Sequence, residues 1–240
     1  MRLPSVKQAF ALHFLVSLFV FLVLLFLMMR VWFPGELFYM DGGWQGMKII
    51  APIDLVLGPA LTLILYRPWK KSLKFDMSVI VAIQIAALGY GVFSAYNQRT
   101  AAIVFAENRF ETLSLNEFRA AQEDMKANDL AIVPISNFGK MPVVVYAEPY
   151  DYGKYLEDIL NGKPELRERS DLYVSIEDAM PDIVKFAIKN DDATETVEIP
   201  ASSRSADSMD GSKQFNLKAR YDHGVITVDG QRFKIERLGH

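Results

Sequence analysis

An aspartate lies inside a segment that is otherwise apolar enough to enter a membrane. The stretch IIAPIDLVLGPALTLILYRPWKK covers residues 49–71 and carries Asp54 between Pro52 and Pro59. A charged side chain at the centre of a bilayer costs about 3 kcal/mol on insertion scales. An acid in such a segment is therefore a functional candidate by default.

Two interpretations of Asp54 follow from its neighbours. Pro59 removes a backbone hydrogen bond within the expected helix, so Gly58 and Pro59 are predicted to kink it and to let another helix approach. In the structural interpretation, Asp54 lies near the outer end of the helix and reaches the interface, or pairs with Lys48 or Arg30. In the functional interpretation, Asp54, Gly58 and Pro59 form a polar notch that binds the transmembrane helix of a partner.

The rest of the sequence offers no recognised catalytic or metal-binding pattern. The three histidines are His13, His223 and His240, and there is no cysteine. The zinc-protease, nucleophile-elbow, P-loop and dinucleotide-binding motifs do not occur. The acidic stretches NDDATE and ADSMDGS lack the ligand spacing of a calcium loop. We therefore predict no enzyme activity, no cofactor and no metal site, although carboxylate pairs that meet only in space stay possible on sequence grounds.

Three apolar segments predict transmembrane helices at about residues 9–32, 49–66 and 77–96. Each is close to the roughly 20 residues that cross a hydrocarbon layer. A removable signal peptide is the competing interpretation of the first segment, since Arg2 and Lys7 give it a basic start. Its apolar run exceeds the usual length, however, and no small-residue cleavage site follows it.

The basic residues predict how these helices cross the membrane. Arg2 and Lys7 precede the first segment, whereas the connection between the first and second segments carries Glu36 and Asp41. The loop between the second and third segments holds four basic residues, Arg67, Lys70, Lys71 and Lys74. Basic loops stay on the cytoplasmic side. We therefore expect the amino terminus and the basic loop in the cytoplasm, with everything after residue 96 on the outer side of the membrane.

The charge balance separates the two parts. Residues 1–96 hold 8 basic and 4 acidic residues, whereas residues 97–240 hold 18 basic and 25 acidic residues. An acidic outer domain argues against nucleic acid as a partner. Without cysteine, this domain needs an ordinary hydrophobic core.

The pattern of residues 97–240 predicts a mixed α+β soluble domain. TAAIVFAENRF is typical of a buried strand, and Ser114 and Glu117 have the spacing of a capping box that begins a helix. LAIVPI and MPVVVYAEP are strand-like. YGKYLEDILNGKP predicts a helix that ends at Gly162, and SIEDAMPDIVKFAIKN predicts one that begins at Ser175 and bends near Pro181.

The carboxyl-terminal part combines a loop and a small antiparallel unit. Residues 201–213, ASSRSADSMDGSK, have no apolar face and are predicted to be a mobile loop. The following stretch alternates apolar and polar residues, which predicts a three-stranded antiparallel meander with turns at His223 with Gly224 and at Asp229 with Gly230.

The motifs around Asp54 also resemble a known family. D-x-x-x-G-P-x-L-T in the second segment, KKSLKFD in the loop and VFAENRF after the third segment occur in the order that is typical of the type IV pilin accessory proteins of the TfpX/TfpZ type. The resemblance covers about residues 5–113 and is weaker beyond them. It implies a small protein of the bacterial inner membrane with three amino-terminal membrane helices, a periplasmic domain at residues 97–240 and a role in pilus assembly or in pilus extension and retraction.

The resemblance also implies which residues to examine. Eleven positions match the motifs of the family: Asp54, Gly58, Pro59, Lys70, Lys71, Leu73, Asp76, Val104, Phe105, Arg109 and Phe110. Of these, Asp54, Gly58, Pro59, Arg109 and Phe110 are our candidates for binding a partner. The implied partner is the major type IV pilin or an inner-membrane platform protein of the pilus machinery. An envelope enzyme that modifies pilin and a membrane-coupled periplasmic sensor are the alternatives.

Overall fold

The computed structural model describes residues 5–123, 143–147, 151–188, 212–229 and 232–238. It contains three helical segments that are long and apolar enough to cross a membrane, Val6–Trp32, Gly43–Leu65 and Leu73–Gln98. We call them the first, second and third apolar helices. The three long apolar helices that the sequence predicts are thus confirmed. Their membrane character is a matter of length and composition.

Each apolar helix extends beyond the apolar stretch that predicted it. The first comprises α1 (Val6–Leu27) and the π-helical turn Met28–Trp32. The second begins at Gly43 rather than near residue 49, and consists of α3 (Gly43–Ala51), the π-helical turn Pro52–Leu57 and α4 (Gly58–Leu65). The third is α5 (Leu73–Gln98). A short helix α2 (Leu37–Met40) lies in the connection between the first two. Polar residues are readily included at the ends of these helices, because water can form hydrogen bonds with their side chains there.

A seven-stranded mixed sheet follows the helices. Its strand order is β4-β3-β1-β2-β5-β6-β7. The strands are β1 (Thr100–Ala106), β2 (Arg109–Ser114), β3 (Val143–Ala147), β4 (Tyr173–Ser175), β5 (Lys213–Lys218), β6 (His223–Asp229) and β7 (Arg232–Arg237). The pairs β1 with β3 and β2 with β5 are parallel, and the other neighbours are antiparallel. This sheet, with its helices, confirms the mixed α+β expectation.

Strand β1 forms the centre of this sheet and is buried on both faces. Ile103 and Phe105 contribute to one hydrophobic cluster, whereas Val104 contributes to the cluster on the other face. Successive side chains of a strand point to opposite faces, which explains this division. The prediction of a buried strand at this position is confirmed.

The predicted helix starts that lie within the described residues are also present. The Glu117 N–H donates to Ser114 Oγ at 3.2 Å, and the Ser114 N–H donates to Glu117 Oε2 at 2.8 Å, which is the predicted capping box of α6 (Leu115–Glu123). Helix α7 (Tyr152–Leu160) precedes Gly162, whose φ of 78° suits a helix end. Helix α8 (Ile176–Ile183) begins after Ser175 and includes Pro181.

One predicted turn is wrong. The meander is formed by β5, β6 and β7, but His223 and Gly224 lie within β6. The chain reverses at residues 219–222 instead, where the Ala219 N–H donates to the Asp222 carbonyl at 2.9 Å. Gly224 is needed for close packing, because a Cβ there would lie 2.4 Å from the Glu236 carbonyl oxygen.

Some predictions fall outside the described residues. These are the strand LAIVPI, Gly230 of the second predicted turn and residues 201–211 of the predicted loop. Lys213, the last residue of that loop, begins β5. The division into domains 1–96 and 97–240 stays a prediction.

The connection between the first and second apolar helices is part of the core of the sheet. Phe33, Leu37 and Met40 are each at most 1% exposed and belong to the same cluster as Phe105 and Phe215. The helical part and the sheet therefore share one continuous hydrophobic core, and unfolding one part exposes apolar surface of the other.

A buried carboxylate fixes this connection to three parts of the sheet. Asp41 is fully buried and accepts hydrogen bonds from Thr100 Oγ1 in β1, from Thr112 Oγ1 in β2 at 2.7 Å, and from the Arg220 N–H after β5 at 3.2 Å. Burial raises the pKa of Asp41, while the Arg220 charge and these hydrogen bonds oppose the rise. We call Asp41, Thr100, Thr112 and Arg220 the Asp41 clamp.

Replacing Asp41 by alanine tests the clamp. We expect Asp41→Ala to lower the free energy of unfolding by about 3 kcal/mol, because two hydroxyls and one N–H lose their acceptor in a buried position. Glu36→Ala is the matched control, since Glu36 is an exposed acid in the same connection. Thermal unfolding of both variants in detergent measures the difference. Equal melting temperatures for the two variants would show that the clamp contributes little.

The raised pKa gives a second expectation, for pH. Because the folded protein binds the Asp41 proton more tightly than the unfolded chain does, wild-type stability falls as the pH rises from the unfolded pKa of about 4 to the higher folded pKa. Asp41→Asn cannot titrate at this position. The stability of the wild type relative to Asp41→Asn should therefore decrease across that window, as melting temperatures at stepped pH values would show. A relative stability that increases with pH would contradict it.

Candidate functional site

The second apolar helix packs against both of the others, which pack mainly on it and less on each other. Every polar side chain that it directs inward therefore lies near the first or the third helix. The second helix is central among the three, as it is in the order of the chain. The composition of any single segment did not show this position.

Three small or polar residues lie on one side of the second helix. Asp54, Gly58 and Thr62 are four residues apart and all buried. Residues spaced by four lie on the same face of an α-helix. The π-helical turn Pro52–Leu57 ends immediately before Gly58, so the irregularity that two prolines predict is present at this point.

Gly58 lies against the end of the Gln84 side chain, which comes from the third helix. A Cβ at this position would lie 1.7 Å from Gln84 Nε2. Only a glycine leaves room for Gln84 in this arrangement. The close approach that the sequence predicted is thus made by a helix of the same chain.

Thr62 joins the first helix to the second. His13 Nδ1 lies 2.5 Å from Thr62 Oγ1, and Thr62 Oγ1 donates to the Gly58 carbonyl at 3.3 Å. Thr62 thus contacts the first helix through its side chain and the preceding turn of its own helix through the Gly58 carbonyl.

Asp54 is buried without a complete set of partners. It is 5% exposed, and its Oδ2 atom has no hydrogen-bond partner among the described residues. The predicted pairings with Lys48 or Arg30 are not found within the described part of the chain, where Lys48 lies over the Trp44 ring at 5.4 Å and Arg30 is exposed. We call Asp54, Gly58, Thr62, His13 and Gln84 the polar cluster.

The other predicted binding residues lie in the sheet. Phe110 is fully buried and packs against the rings of Phe105 and Phe215 at centroid distances of 5.0 and 5.5 Å. Arg109 is half-exposed and donates from Nε to Glu111 Oε1 at 2.7 Å. The structure therefore brings Asp54, Gly58 and Pro59 together in the helices and places Arg109 and Phe110 elsewhere.

The basic loop between the second and third helices is exposed as a whole. Arg67, Lys71 and Lys74 are exposed, and Lys70 pairs with Asp76 at 2.5 Å. Trp69 at its centre is 78% exposed. Leu73 instead packs with Ala9 and Tyr66 and so connects the loop to the helices.

Sequence reasoning missed three members of the polar cluster. His13 was named only as one of the three histidines, Gln84 was not selected within its apolar segment, and Thr62 ends the D-x-x-x-G-P-x-L-T motif without having been selected. The four-residue spacing of Asp54, Gly58 and Thr62 was the signal available for Thr62. Nothing in the sequence pairs His13 or Gln84 with this face.

The cluster is not arranged as a metal centre. Across the described residues, no group of three or more histidine, cysteine, aspartate and glutamate side chains is placed to hold a metal ion. The arrangement suits hydrogen bonding between helices instead, as polar groups do within membranes.

Comparisons with known proteins give relatives of one kind. The chain is 38% identical over 104 residues to the fimbrial assembly proteins of serogroups I and E1 of Dichelobacter nodosus, which is 42% of this chain and 40% of each relative. It is equally identical over 104 residues to the fimbrial assembly protein of serogroups C1 and C2, and covers 79% of that protein. The chain thus spans about two fifths of the length of the first two relatives. No family model and no solved structure matches it.

The contact between Gly58 and Gln84 can be tested with a double mutant. We expect Gly58→Ala to lower the free energy of unfolding by about 1 kcal/mol, because the added methyl group forces the flexible end of the Gln84 side chain to move. Gln84→Ala in the same chain should restore most of that loss, since it removes the atoms that clash. Gly89→Ala is the control, because a Cβ there meets nothing within 4 Å. If Gly58→Ala costs no more than Gly89→Ala, the close approach is absent in the folded protein.

Proposed function

Because the chain belongs to the family of fimbrial assembly proteins, we propose that it is a non-enzymatic accessory protein of the type IV pilus system that acts in the bacterial inner membrane. It promotes assembly of the pilus or its extension and retraction. The similarity to a fimbrial assembly protein of which the chain covers 79% carries this proposal. The finer assignment is to the accessory proteins of the TfpX/TfpZ type, supported by the motifs around Asp54.

In this proposal the three apolar helices cross the membrane with the basic loop in the cytoplasm. The four basic residues of the loop support this orientation, since such residues remain on the cytoplasmic side. Aromatic residues at the other end of the helices support the crossing itself, though not its direction, because such residues occur at both membrane surfaces. Trp32 packs on Tyr96, whose ring lies 4.4 Å from the Arg99 guanidinium, and Trp44 is partly exposed. Tryptophan and tyrosine are enriched where a membrane meets water.

The partner is the major pilin or an inner-membrane platform protein. The polar cluster supports binding within the membrane, because Asp54 retains a buried oxygen without a partner among the described residues. A polar atom without a partner in hydrocarbon is costly, so a helix that satisfies it gains affinity. The partner is also proposed to bind the sheet, outside the membrane. The hydrophobic core that the sheet shares with the helices holds the sheet in a fixed position above them.

Deletion of the gene tests the function. We expect the deletion strain to lose most of its surface pili, or to make pili that no longer extend and retract normally, as counted by electron microscopy and by tracking of labelled pili. The plasmid-borne wild type should restore both. Normal piliation together with normal pilus dynamics in the deletion strain would refute the proposal.

Asp54 variants in the same strain test the site. Asp54→Ala should weaken partner binding at least fivefold while protein abundance changes less than twofold. Binding is measured by photo-crosslinking from Leu57, which is 51% exposed and lies three residues after Asp54, on a neighbouring part of the helix surface. Asp54→Asn is the matched variant, because it keeps the size and one oxygen acceptor. If Asp54→Ala lowers protein abundance and crosslinking equally, the role of Asp54 is structural.

A further inference from the structure

The sheet has two edges, and only one of them is formed by a long strand. Strand β4 (Tyr173–Ser175) forms one edge with three residues, whereas β7 (Arg232–Arg237) forms the other with six and pairs only with β6 among the described strands. An edge strand presents unpaired backbone N–H and C=O groups, and proteins commonly protect such an edge by making the strand very short. The β4 edge is protected in this way, whereas β7 is long enough to receive a further strand.

The backbone groups of β7 that point away from β6 belong to alternate residues. The Leu238 N–H, just past the end of β7, donates to the His223 carbonyl at 3.4 Å. Residues of an antiparallel strand alternate between those that bond one neighbour and those that point to the other side. The even-numbered residues of β7 therefore bond β6. The residues that direct their N–H and C=O groups outward are Phe233, Ile235 and Arg237.

The side chains of β7 divide between the two faces of the sheet. Phe233 and Ile235 are partly buried against the cluster that contains Phe105. Lys234 and Glu236 lie on the opposite face, where their side chains form an ion pair of 2.6 Å and are 69% and 25% exposed. A strand added beside β7 therefore meets apolar side chains on one face and charged side chains on the other.

The charges of β7 favour one way of pairing two copies of this strand. Side chains directly opposite each other share a face of the sheet, so the register changes only in steps of two residues. Two antiparallel registers then overlap most of β7. One places Arg232 opposite Glu236 but also Lys234 opposite its own copy, which destabilises a strand pair. The other places Lys234 of each copy opposite Glu236 of the other copy and opposes no like charges.

We propose that two copies of this chain pair antiparallel along β7, with Lys234 of each copy opposite Glu236 of the other. Ile235 lies on the two-fold axis, and Phe233 lies opposite Arg237 of the second copy, where a ring and a guanidinium attract each other. The two sheets become one continuous sheet. This inference goes beyond the proposed function and needs only that the apolar helices of both copies lie in one membrane.

The position of the helices on the sheet agrees with this pairing. Met28, Met47 and Ala95, one from each apolar helix, belong to the same cluster as Phe105, so the helices lie on the face to which Phe233 contributes. Antiparallel pairing of identical edge strands uses a two-fold axis perpendicular to the sheet, which keeps the helices of both copies on one side of it. Parallel pairing needs an axis along the strands and puts the helices on opposite sides. Only the antiparallel pair therefore suits two copies in one membrane.

The interface is small, and the membrane compensates for its size. A single edge strand buries less than the roughly 1,600 Å² of a standard protein interface. Two copies that are held in one membrane with the same orientation meet at a higher effective concentration than free copies do. We therefore expect the dimer in membranes, and a lower population of it in dilute detergent.

Disulfide formation between introduced cysteines tests the register. The chain has no cysteine of its own, so an introduced one reports on a single position. The full-length chain is expressed with two different tags, one copy carrying Lys234→Cys and the other Glu236→Cys, and the membranes are oxidised with copper phenanthroline. The proposed register puts these positions directly opposite, at a separation that a disulfide spans. We expect the mixed disulfide to be at least fivefold more abundant than either self-disulfide.

Three results would overturn the proposal. An excess of the Lys234→Cys self-disulfide would show the register in which the two lysines face each other. Absence of disulfides in every combination would show that no second copy pairs along β7. A photo-crosslinker at the exposed Arg232 should form adducts with the second copy. Adducts with a different protein alone would assign this edge to a strand of that protein.

Exchanging the charges tests the ion pairs between the copies. The reporter is the self-disulfide of Ile235→Cys, because residues opposite each other on the axis have Cα atoms about 5.5 Å apart. Lys234→Glu puts glutamates opposite each other twice and should lower this disulfide at least fivefold. The double variant Lys234→Glu with Glu236→Lys restores opposite charges and should restore at least half of it.

A charge reversal elsewhere in the sheet is the control. Lys218 is an exposed lysine of β5, a strand that is paired on both sides, so Lys218→Glu should leave the Ile235→Cys disulfide unchanged. Equal losses in Lys234→Glu and Lys218→Glu, or no recovery in the double variant, would refute the ion pairs between the copies. If a charge variant does not accumulate, the cysteine pairs at positions 234 and 236 in the otherwise unchanged chain still decide.

Discussion

The Asp41 clamp is the interaction on which the rest of the structure depends. One buried carboxylate accepts hydrogen bonds from the first strand, the second strand and the turn after β5. Its own residue lies in the connection between two apolar helices. Without these bonds the connection would bury a charge with no compensation, which is among the most costly arrangements in a protein. The clamp therefore specifies how the sheet and the helices meet, while the apolar residues around it supply most of the stabilisation.

Buried polar groups need hydrogen-bond partners within the helices too, but there one group lacks a partner within the described part of the chain. At Asp41 each carboxylate oxygen has a donor, whereas the polar cluster leaves Asp54 Oδ2 without one among the described residues. Apolar contacts between helices give little preference in lipid, so hydrogen bonds and close packing at small residues decide which helices associate. Gly58 with Gln84 and Thr62 with His13 fix the third and first helices on the second in this way.

Local patterns predicted most of the elements of the fold, and long-range contacts explain what they did not predict. The capping box of Ser114 and Glu117 and the three strands at the end of the chain depend on residues near one another in sequence, so the pattern shows them. Gly224 was assigned to a turn because glycine is common there, yet it serves the close approach of β7. The contact of Asp41 with Thr100 and Arg220 joins residues far apart in sequence. For the same reason Asp54 and Gly58 were recognised from the sequence, but His13 and Gln84 were not placed beside them.

Asp41 has a complete set of hydrogen-bond partners, whereas Asp54 has an incomplete set among the described residues. This difference explains how an accessory protein can be stable alone and still bind a partner. Outside the membrane, water forms hydrogen bonds with exposed polar groups that have no partner in the fold. Only the buried groups of the clamp therefore need partners from the protein. Inside hydrocarbon no such solvent exists, and an unpaired carboxylate oxygen keeps its free-energy cost until another polar group binds to it. The complete clamp holds the molecule together in the absence of a partner. In the proposed function, the Asp54 oxygen that has no partner among the described residues contributes binding free energy to a helix that satisfies it.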